Sequence, residues 1–493
     1  MGGIFSKANR PKLPGAYFNF VAAEKAIVPV QTGTVVAIPF THDWGPFELN
    51  VRVASFAEFQ AIYGDSDDTA GYRAVRQAFV GEGLPGRGGA GEIVCHRFGD
   101  ANATKATITL QNTTPVAAIT LTAKYEGTRG NDLAVTTQDN PADAAQTELI
   151  LYDGTAEIER YRFLDADIQS AVDKINDVSN WVDASLDQDG VALGIVASQS
   201  LTTGDDGENT LIAGDWTAML AAIEVEEFSV YAPFDLTDGG ILTSHLTWVT
   251  DSNAAGKRFM AVFGGAAAED IATALARSAS LASVNIINLG VGTITDATLG
   301  SGLTELDIST SELAPRVAGI LAARGEYASL THARLQGASI KVGASLSDQE
   351  TAFDEGVTVL ASDTHPAAPT HIRTGLTTWT DTDAEADPTK PYLIYRQPKY
   401  VRTMQGIESD LTKWAEENII GLRPINAATR EAIIAEVKRS LREREQLGAI
   451  QPGWTAGIDQ DPPPTDEDEF IALAISVKFG RSLEQVYFTV TVG

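Results

Sequence analysis

Apolar positions recur along the chain in two rhythms, and the change between them divides it. From Thr34 to Phe98 the runs Thr34–Phe40, Glu48–Val53 and Glu92–Phe98 read as strands, while Phe56–Tyr63 and Thr69–Val80 read as helices. The same rhythm returns after a Gly204–Asn209 loop. Strands at Phe228–Phe234, Arg258–Phe263 and Val284–Leu289 there alternate with helices at Gly240–Asp251, Ala268–Leu281 and Glu312–Ala323, and further strands follow at Gly356–Ala361 and His371–Leu376. Short apolar runs separated by helical segments imply a parallel sheet covered on both faces. Residues 27–100 and 210–388 are therefore expected to form one discontinuous α/β core.

Between them, residues 101–209 are rich in Thr, Val and Asp with frequent turn signals. Thr107–Leu110, Ala117–Tyr125, Leu133–Thr137, Glu148–Tyr152 and Ala192–Ala197 read as strands and Asp167–Val178 as a helix, an inserted β-rich domain. Ser309 and Glu312 have capping-box spacing, but Pro315 lies deep enough to suggest that this helix starts a few residues later.

The two ends differ from the middle. Residues 1–26 read as an arm: Pro11 and Pro14-Gly15 keep the leader out of helix, and Ala16, Tyr17, Phe18, Asn19, Phe20 and Val21 form a short strand with no hairpin partner nearby. Residues 391–493 are read as an α+β C-terminal domain. It has helices at Met404–Ile420 and Ala427–Leu447, an acidic proline linker at Asp459–Glu469, and strands at Phe470–Phe479 and Glu484–Val492. In the last strand Val486, Phe488, Val490 and Val492 share one face and Tyr487, Thr489 and Thr491 the other. A chain end frays unless something ties it down; this one has the pattern of a half-buried strand.

Charge narrows the function classes. The net charge of −30 over 493 residues opposes binding to nucleic acid or anionic membranes. No apolar run approaches the roughly 18–20 residues of a membrane span. The single cysteine, Cys95, excludes an internal disulfide and a cysteine-based zinc site, and its apolar strand suggests a buried thiol. Met1–Lys12 lacks the apolar region of a secretory signal, and although Met1–Ser6 fits a myristoylation pattern it is read as a flexible leader.

Chemistry-bearing motifs are sparse. Asp251–Arg258 contains Gly256-Lys257 but has neither the first glycine nor the final Ser/Thr of a phosphate loop. Phe263-Gly264-Gly265 is read as a tight strand-to-helix turn. No Gly-x-Ser-x-Gly elbow occurs, and His42, His96, His245, His332, His365 and His371 lack metal-ligand spacing. The acidic clusters 65–68, 187–189 and 205–208 do not complete a calcium loop and are read as solvated. No catalytic, cofactor-binding or metal-binding residue is assigned. The Ala427–Leu447 helix stands out because Lys438, Arg439, Arg442 and Arg444 cluster in its C-terminal half. Two readings stay open there: cations complementing the helix dipole, or a docking surface for an acidic partner.

Several segments together resemble the contractile tail sheath proteins of phages and phage-like bacteriocin particles. They are Pro14–Phe20, similar to the family's entry strand; Lys124–Leu133, similar to its Gly-x-x-Gly-Asn turn; Leu313–Ile320, similar to its small-residue core helix; and Leu483–Phe488, similar to its closing strand. Gly375–Thr380 departs from the family's pattern at Gly375-Leu376-Thr377. The resemblance implies a subtilisin-like α/β core without protease activity or cofactor, in a subunit of stacked hexameric discs around an inner tail tube. It implies arms at Ala16–Val21 and Val486–Val492 that add strands to neighbouring subunits, and a tube-facing surface at Lys438, Arg439, Arg442 and Arg444. Baseplate and tail terminator proteins are the further partners it implies, in a particle tail assembled in the bacterial cytoplasm. An enzyme on the α/β core explains only the core, and a surface-array protein explains only the β-rich insertion.

Overall fold

A computed structural model describes residues 35–84, 88–297, 306–362, 370–380, 395–420, 422, 424, 426–458 and 473–480. Its centre is an eight-stranded sheet in the order β18-β17-β13-β12-β11-β1-β3-β2. Three of these strands precede residue 100: β1 (Val35–Phe40), β2 (Asn50–Val53) and β3 (Glu92–Arg97). The other five follow residue 229: β11 (Val230–Tyr231), β12 (Met260–Gly264), β13 (Ile286–Gly290), β17 (Thr358–Ala361) and β18 (His371–Ile372). All inner pairings are parallel, and only the edge strands β2 and β18 run antiparallel to their neighbours.

Both faces of the sheet are buried, which is why its strands read as unbroken apolar runs. On one face Val36, Ile38, Ile93, Cys95, Met260 and Val262 pack against helices α2 (Ala70–Val80) and α7 (Thr310–Ala323). The alternate residues Ala37, Val94, Ala261 and Phe263 pack on the other face against α4 (Ala213–Ile223) and α5 (Gly239–Ala254). Helix α7 begins at Thr310, not later as Pro315 suggested: both halves of the Ser309–Glu312 capping box form, with Ser309 Oγ accepting from Glu312 N at 3.1 Å. The start is fixed because the capping box satisfies first-turn amides, while Pro315 forgoes only one hydrogen bond further in. Arg316, wholly buried, anchors the helix: it pairs with Asp296 at 2.6 Å and donates to the carbonyls of Gly81 and Gln336. Gly319 lets the backbone of α2 approach, because a Cβ there would strike Ala78 O.

Residues 105–200 form a sandwich of a three-stranded sheet, β4-β5-β9, and a four-stranded sheet, β10-β6-β7-β8. Their ranges are β4 Lys105–Gln111, β5 Ala117–Glu126, β6 Leu133–Asn140, β7 Asp143–Asp153, β8 Ala156–Leu164, β9 Val182–Leu186 and β10 Val196–Ser200. The final strand lies a few residues after the expected Ala192–Ala197. The sandwich core contains Leu121, Val135, Leu151 and Phe163, with one intruder: Trp44 from the α/β core, edge-on to Tyr125 at 5.3 Å and beside Trp181 at 5.5 Å.

The Gly127–Asn131 turn joins the two bodies. Gly127 has φ +131, and a Cβ would collide with Asp43 O. Asn131 exchanges two hydrogen bonds with Gly204, 2.9 and 2.8 Å, tying the entrance of the sandwich to its exit. Buried Arg97, at the end of β3, donates to the carbonyls of His42, Gly45 and Glu126 and so spans the seam.

Candidate functional site

An open α/β sheet usually binds ligands beyond the carboxyl ends of its strands. Here that place is filled by the protein itself. A Cβ on Gly264 would meet the backbone of Thr310 and Ser311, and Gly265 N donates to Thr310 Oγ1 at 2.8 Å. The N-terminus of α7, an anion site in principle, already holds two carboxylates. Glu312 caps Ser309 N at 2.7 Å, and Asp235 accepts from Ser311 Oγ at 2.8 Å. Burial raises the pKa of both carboxyls.

Three histidines are structural. His245 is wholly buried, with Nδ1 2.9 Å from Ile241 O and Nε2 2.9 Å from Tyr231 Oη. Burial lowers its pKa to about 4, that of His96 to about 4, and that of His42 to about 3 with help from Arg97. His332 and His371 stack on each other at 4.7 Å, and His365 lies outside the described residues. Cys95 is buried, as its strand suggested, and burial raises its thiol pKa. Among the described residues no cluster of His, Cys, Asp and Glu could hold a metal ion, and no helix is long and apolar enough to cross a membrane.

The C-terminal segment offers the more distinctive constellation. Two antiparallel-paired strands, β19 (Thr455–Ile458) and β20 (Leu473–Ser476), lie over the helices Pro398–Asn418 and Ala427–Gln446. Val437, Leu441 and Ile450 form their common core, with Ile407, Leu411 and Ile475 at its margin. Asn426 caps the second helix by accepting from Thr429 N at 2.9 Å.

The first helix carries the joint to the α/β core. Gln405 Nε2 reaches Asn253 Oδ1, Phe259 O and Asn285 Oδ1 at 3.0–3.2 Å. Arg402 is buried and donates to Arg324 O at 2.9 Å, and burial lowers its pKa to about 10. Beside it Arg444 Nε lies 2.8 Å from Glu326 of the core, and its Nη2 2.6 Å from Asp410. Gly406 is what lets Glu326 in, because a Cβ would take the place of the carboxylate. Its position inside a helix, where glycine costs about 1 kcal/mol, is the sequence signal that could have pointed to this joint.

These contacts sort the four basic candidates. Arg444 is wholly buried in the joint and is not part of a surface; this corrects the expectation that it faces a tube. Arg439 is held by Glu436 and Glu443 of its own helix. Arg442 is exposed and Lys438 half-exposed. Both expected arms, Ala16–Val21 and Val486–Val492, lie outside the described residues.

Two family models match the chain: the phage tail sheath protein beta-sandwich domain over residues 99–206, and the phage tail sheath C-terminal domain over residues 394–493. Both matched models are domains of phage tail sheath proteins. Among the curated relatives is the phage-like element PBSX protein XkdK of Bacillus subtilis, 24% identical over 237 residues, which are 47% of this chain and 48% of the relative. The chain thus spans about half the length of the curated relatives it matches. In fold it is similar to the crystal structure of a sheath tail protein from Desulfitobacterium hafniense. That likeness has TM-score 0.70 and 18% identity, and covers 94% of this chain and 100% of the other. It is also similar to the contracted helical sheath of the anti-feeding prophage, with TM-score 0.52, 12% identity and coverage of 98% and 99%. At these identities the likeness is one of fold. The sheath fold here combines a β-sandwich domain with mixed α/β content.

Proposed function

We propose that the chain is a structural subunit of a contractile tail sheath, polymerising around an inner tube and contracting to drive it through a bacterial envelope. The observation that carries this reading is the pair of sheath-family domains on a chain whose fold matches a sheath tail protein over 94% of its length. Copies of the chain and baseplate components are its first partners, an inner tube and a tail terminator the next, in the tail of a phage or phage-like particle assembled in the host cytoplasm. The domain plan is a discontinuous, subtilisin-like α/β core (27–100 and 210–388), the sandwich insertion (101–209), a linking arm (1–26) and a linking and tube-facing domain (391–493). In support, β19–β20 is a two-stranded sheet among the described residues, and two strands alone are marginal in water.

Ala16–Val21 and Val486–Val492 are proposed to enlarge such sheets in neighbouring subunits, each ladder hydrogen bond contributing about 1 kcal/mol. Contraction then needs no nucleotide, because its free energy is the difference between two packings of the same subunits. An enzymatic reading is disfavoured by the self-filled crest of the sheet, where Thr310, Asp235 and Glu312 occupy the place of a ligand.

Electron microscopy of the purified chain tests the assembly. Hollow tubes of regular diameter are expected for the full chain, and short or no tubes after deletion of Glu484–Gly493. Discrete particles from the full chain would count against the sheath reading, and full-length tubes from the truncated chain against the linking arm.

A further inference from the structure

The α/β core meets two other bodies, and the two meetings are built differently. At the sandwich an apolar cluster crosses the seam, because Trp44 of the core packs with Tyr125 and Trp181. Arg129 adds a second stitch: it lies 3.0 Å from Asp153 of the sandwich and 3.6 Å from Asp65 of the core, with its guanidinium over the Trp181 ring. Its place is reserved, since a Cβ on Gly64 would strike Nη1. The chain also crosses this seam twice, because the sandwich is an insertion. Parting it would bare two indoles and strip Arg97 and Arg129 of partners.

At the C-terminal domain the contacts are of another kind. Among the described residues, every member of the apolar clusters of the α/β core precedes Arg373, and every member of the C-terminal cluster follows Gly406. Tyr400 and Val401 are buried in between. What crosses from one body to the other is a set of hydrogen bonds and ion pairs. Gln405 reaches Asn253, Asn285 and Phe259 O; Arg402 donates to Arg324 O; and Thr403 Oγ1 donates to Glu326 O at 3.3 Å. Arg258 pairs with Glu408, and Arg444 reaches Glu326 past the notch at Gly406. Groups of this kind exchange their partners for water when they part, so the net loss is small; apolar faces have no such exchange. Polar interfaces between domains allow relative motion, and a folded chain opens in contiguous units of unequal stability.

We propose that the C-terminal domain is a separately opening body, keyed to the α/β core at Gly406 by the Arg444–Glu326 pair, whereas the sandwich and the core open only together. The articulation of the molecule then lies at the Pro398–Asn418 helix and not at the insertion that interrupts the core in sequence. The domain can turn against the core without uncovering either apolar cluster. This is a property of one chain, and a preparation that never forms tubes still tests it.

Native-state hydrogen exchange on the dilute full-length protein is the test. Amides of residues 437–444 should exchange at least about tenfold faster than those of residues 317–322 in α7, while residues 133–137 of β6 and 149–151 of β7 stay within about threefold of α7. Equal rates in 437–444 and α7 overturn the separate opening, and sandwich amides as fast as 437–444 overturn the union of sandwich and core. The key is tested by Gly406→Ala, whose Cβ would take the place of the Glu326 carboxylate. It should speed exchange in 437–444 by a further threefold or so and leave 317–322 unchanged. Acceleration of both stretches alike, or of neither, overturns the role given to Arg444 and Glu326.

Discussion

Arg444 shows how much one side chain can decide. Its guanidinium sits between Glu326 and Asp410, and Ser440 Oγ accepts from Nη1 at 2.6 Å. Truncation would leave two buried carboxylates without their cation, and breaking a buried pair from one side typically costs about 3–5 kcal/mol. Arg444→Ala should therefore lower the stability of the C-terminal domain by about that much, read as a fall in the denaturant midpoint with a tryptophan probe such as Trp454. A loss within experimental error would mean that the joint is held by its apolar contacts and Gln405 instead. From sequence, Arg444 was indistinguishable from Arg442 and Lys438, since all are cations in the last turns of one helix. The neighbour that separates it, Glu326, is 118 residues away, and local pattern carries no information about such a partner.

Elements were legible where both their period and their caps lie within the chain segment itself. Helix α1 (Phe56–Tyr63) falls where the spacing predicts, and Thr69 caps α2 by accepting from Tyr72 N. Strands β8 and β9 escaped notice. In β8 the buried Tyr161 and Phe163 alternate with Arg160 and Arg162, whose charges are matched by Glu148 across the strand pair, so the stretch reads as polar until its partner is known. The small antiparallel sheet of β14 (Thr293–Asp296), β15 (Leu306–Ser309) and β16 (Ala338–Val342) has four- and five-residue strands, too short for a clear period. Helix α7 tests the cap directly. Ser309→Ala removes the acceptor for Glu312 N and should cost about 1 kcal/mol, measured by thermal or denaturant unfolding. A neutral substitution would show that packing of Arg316 and Gly319 alone sets the helix start.

At the scale of the molecule, charge and pH come forward. His42, His96 and His245 all have folded-state pKa values depressed by burial from the usual 6.5. The unfolded chain therefore binds more protons between pH 6.5 and about 4, so their contribution is fully present above pH 6.5 and is lost as pH falls through that window. Each contributes a slope of up to about 1.4 kcal/mol per pH unit. Glu326 and Asp410, raised by burial, act in the opposite sense, so the histidine share is best isolated by difference. Unfolding free energy measured from pH 7 to 5 should fall, and less steeply in His245→Gln than in the unaltered chain; parallel curves would refute the assignment. For assembly, Lys438→Glu with Arg442→Glu should leave the fold intact and weaken polymerisation on an acidic tube. Unchanged polymerisation would leave the helix as a cationic end to its own dipole.

The central sheet also sets a timetable for synthesis. Strand β1 lies beside β11, with Val36 opposite Val230, and the sheet closes only when β18, at residues 371–372, reaches β17. The sandwich inserted between these strands is complete by residue 200. As the chain leaves the ribosome, all strands of the β-sandwich, and the Trp44 that packs into it, therefore exist while β1 and β3 still wait, with both apolar faces uncovered, for partners not yet made. A chain built in this order cannot complete its central sheet until residue 372 of 493 has been made, so the long-range pairings of the core form late.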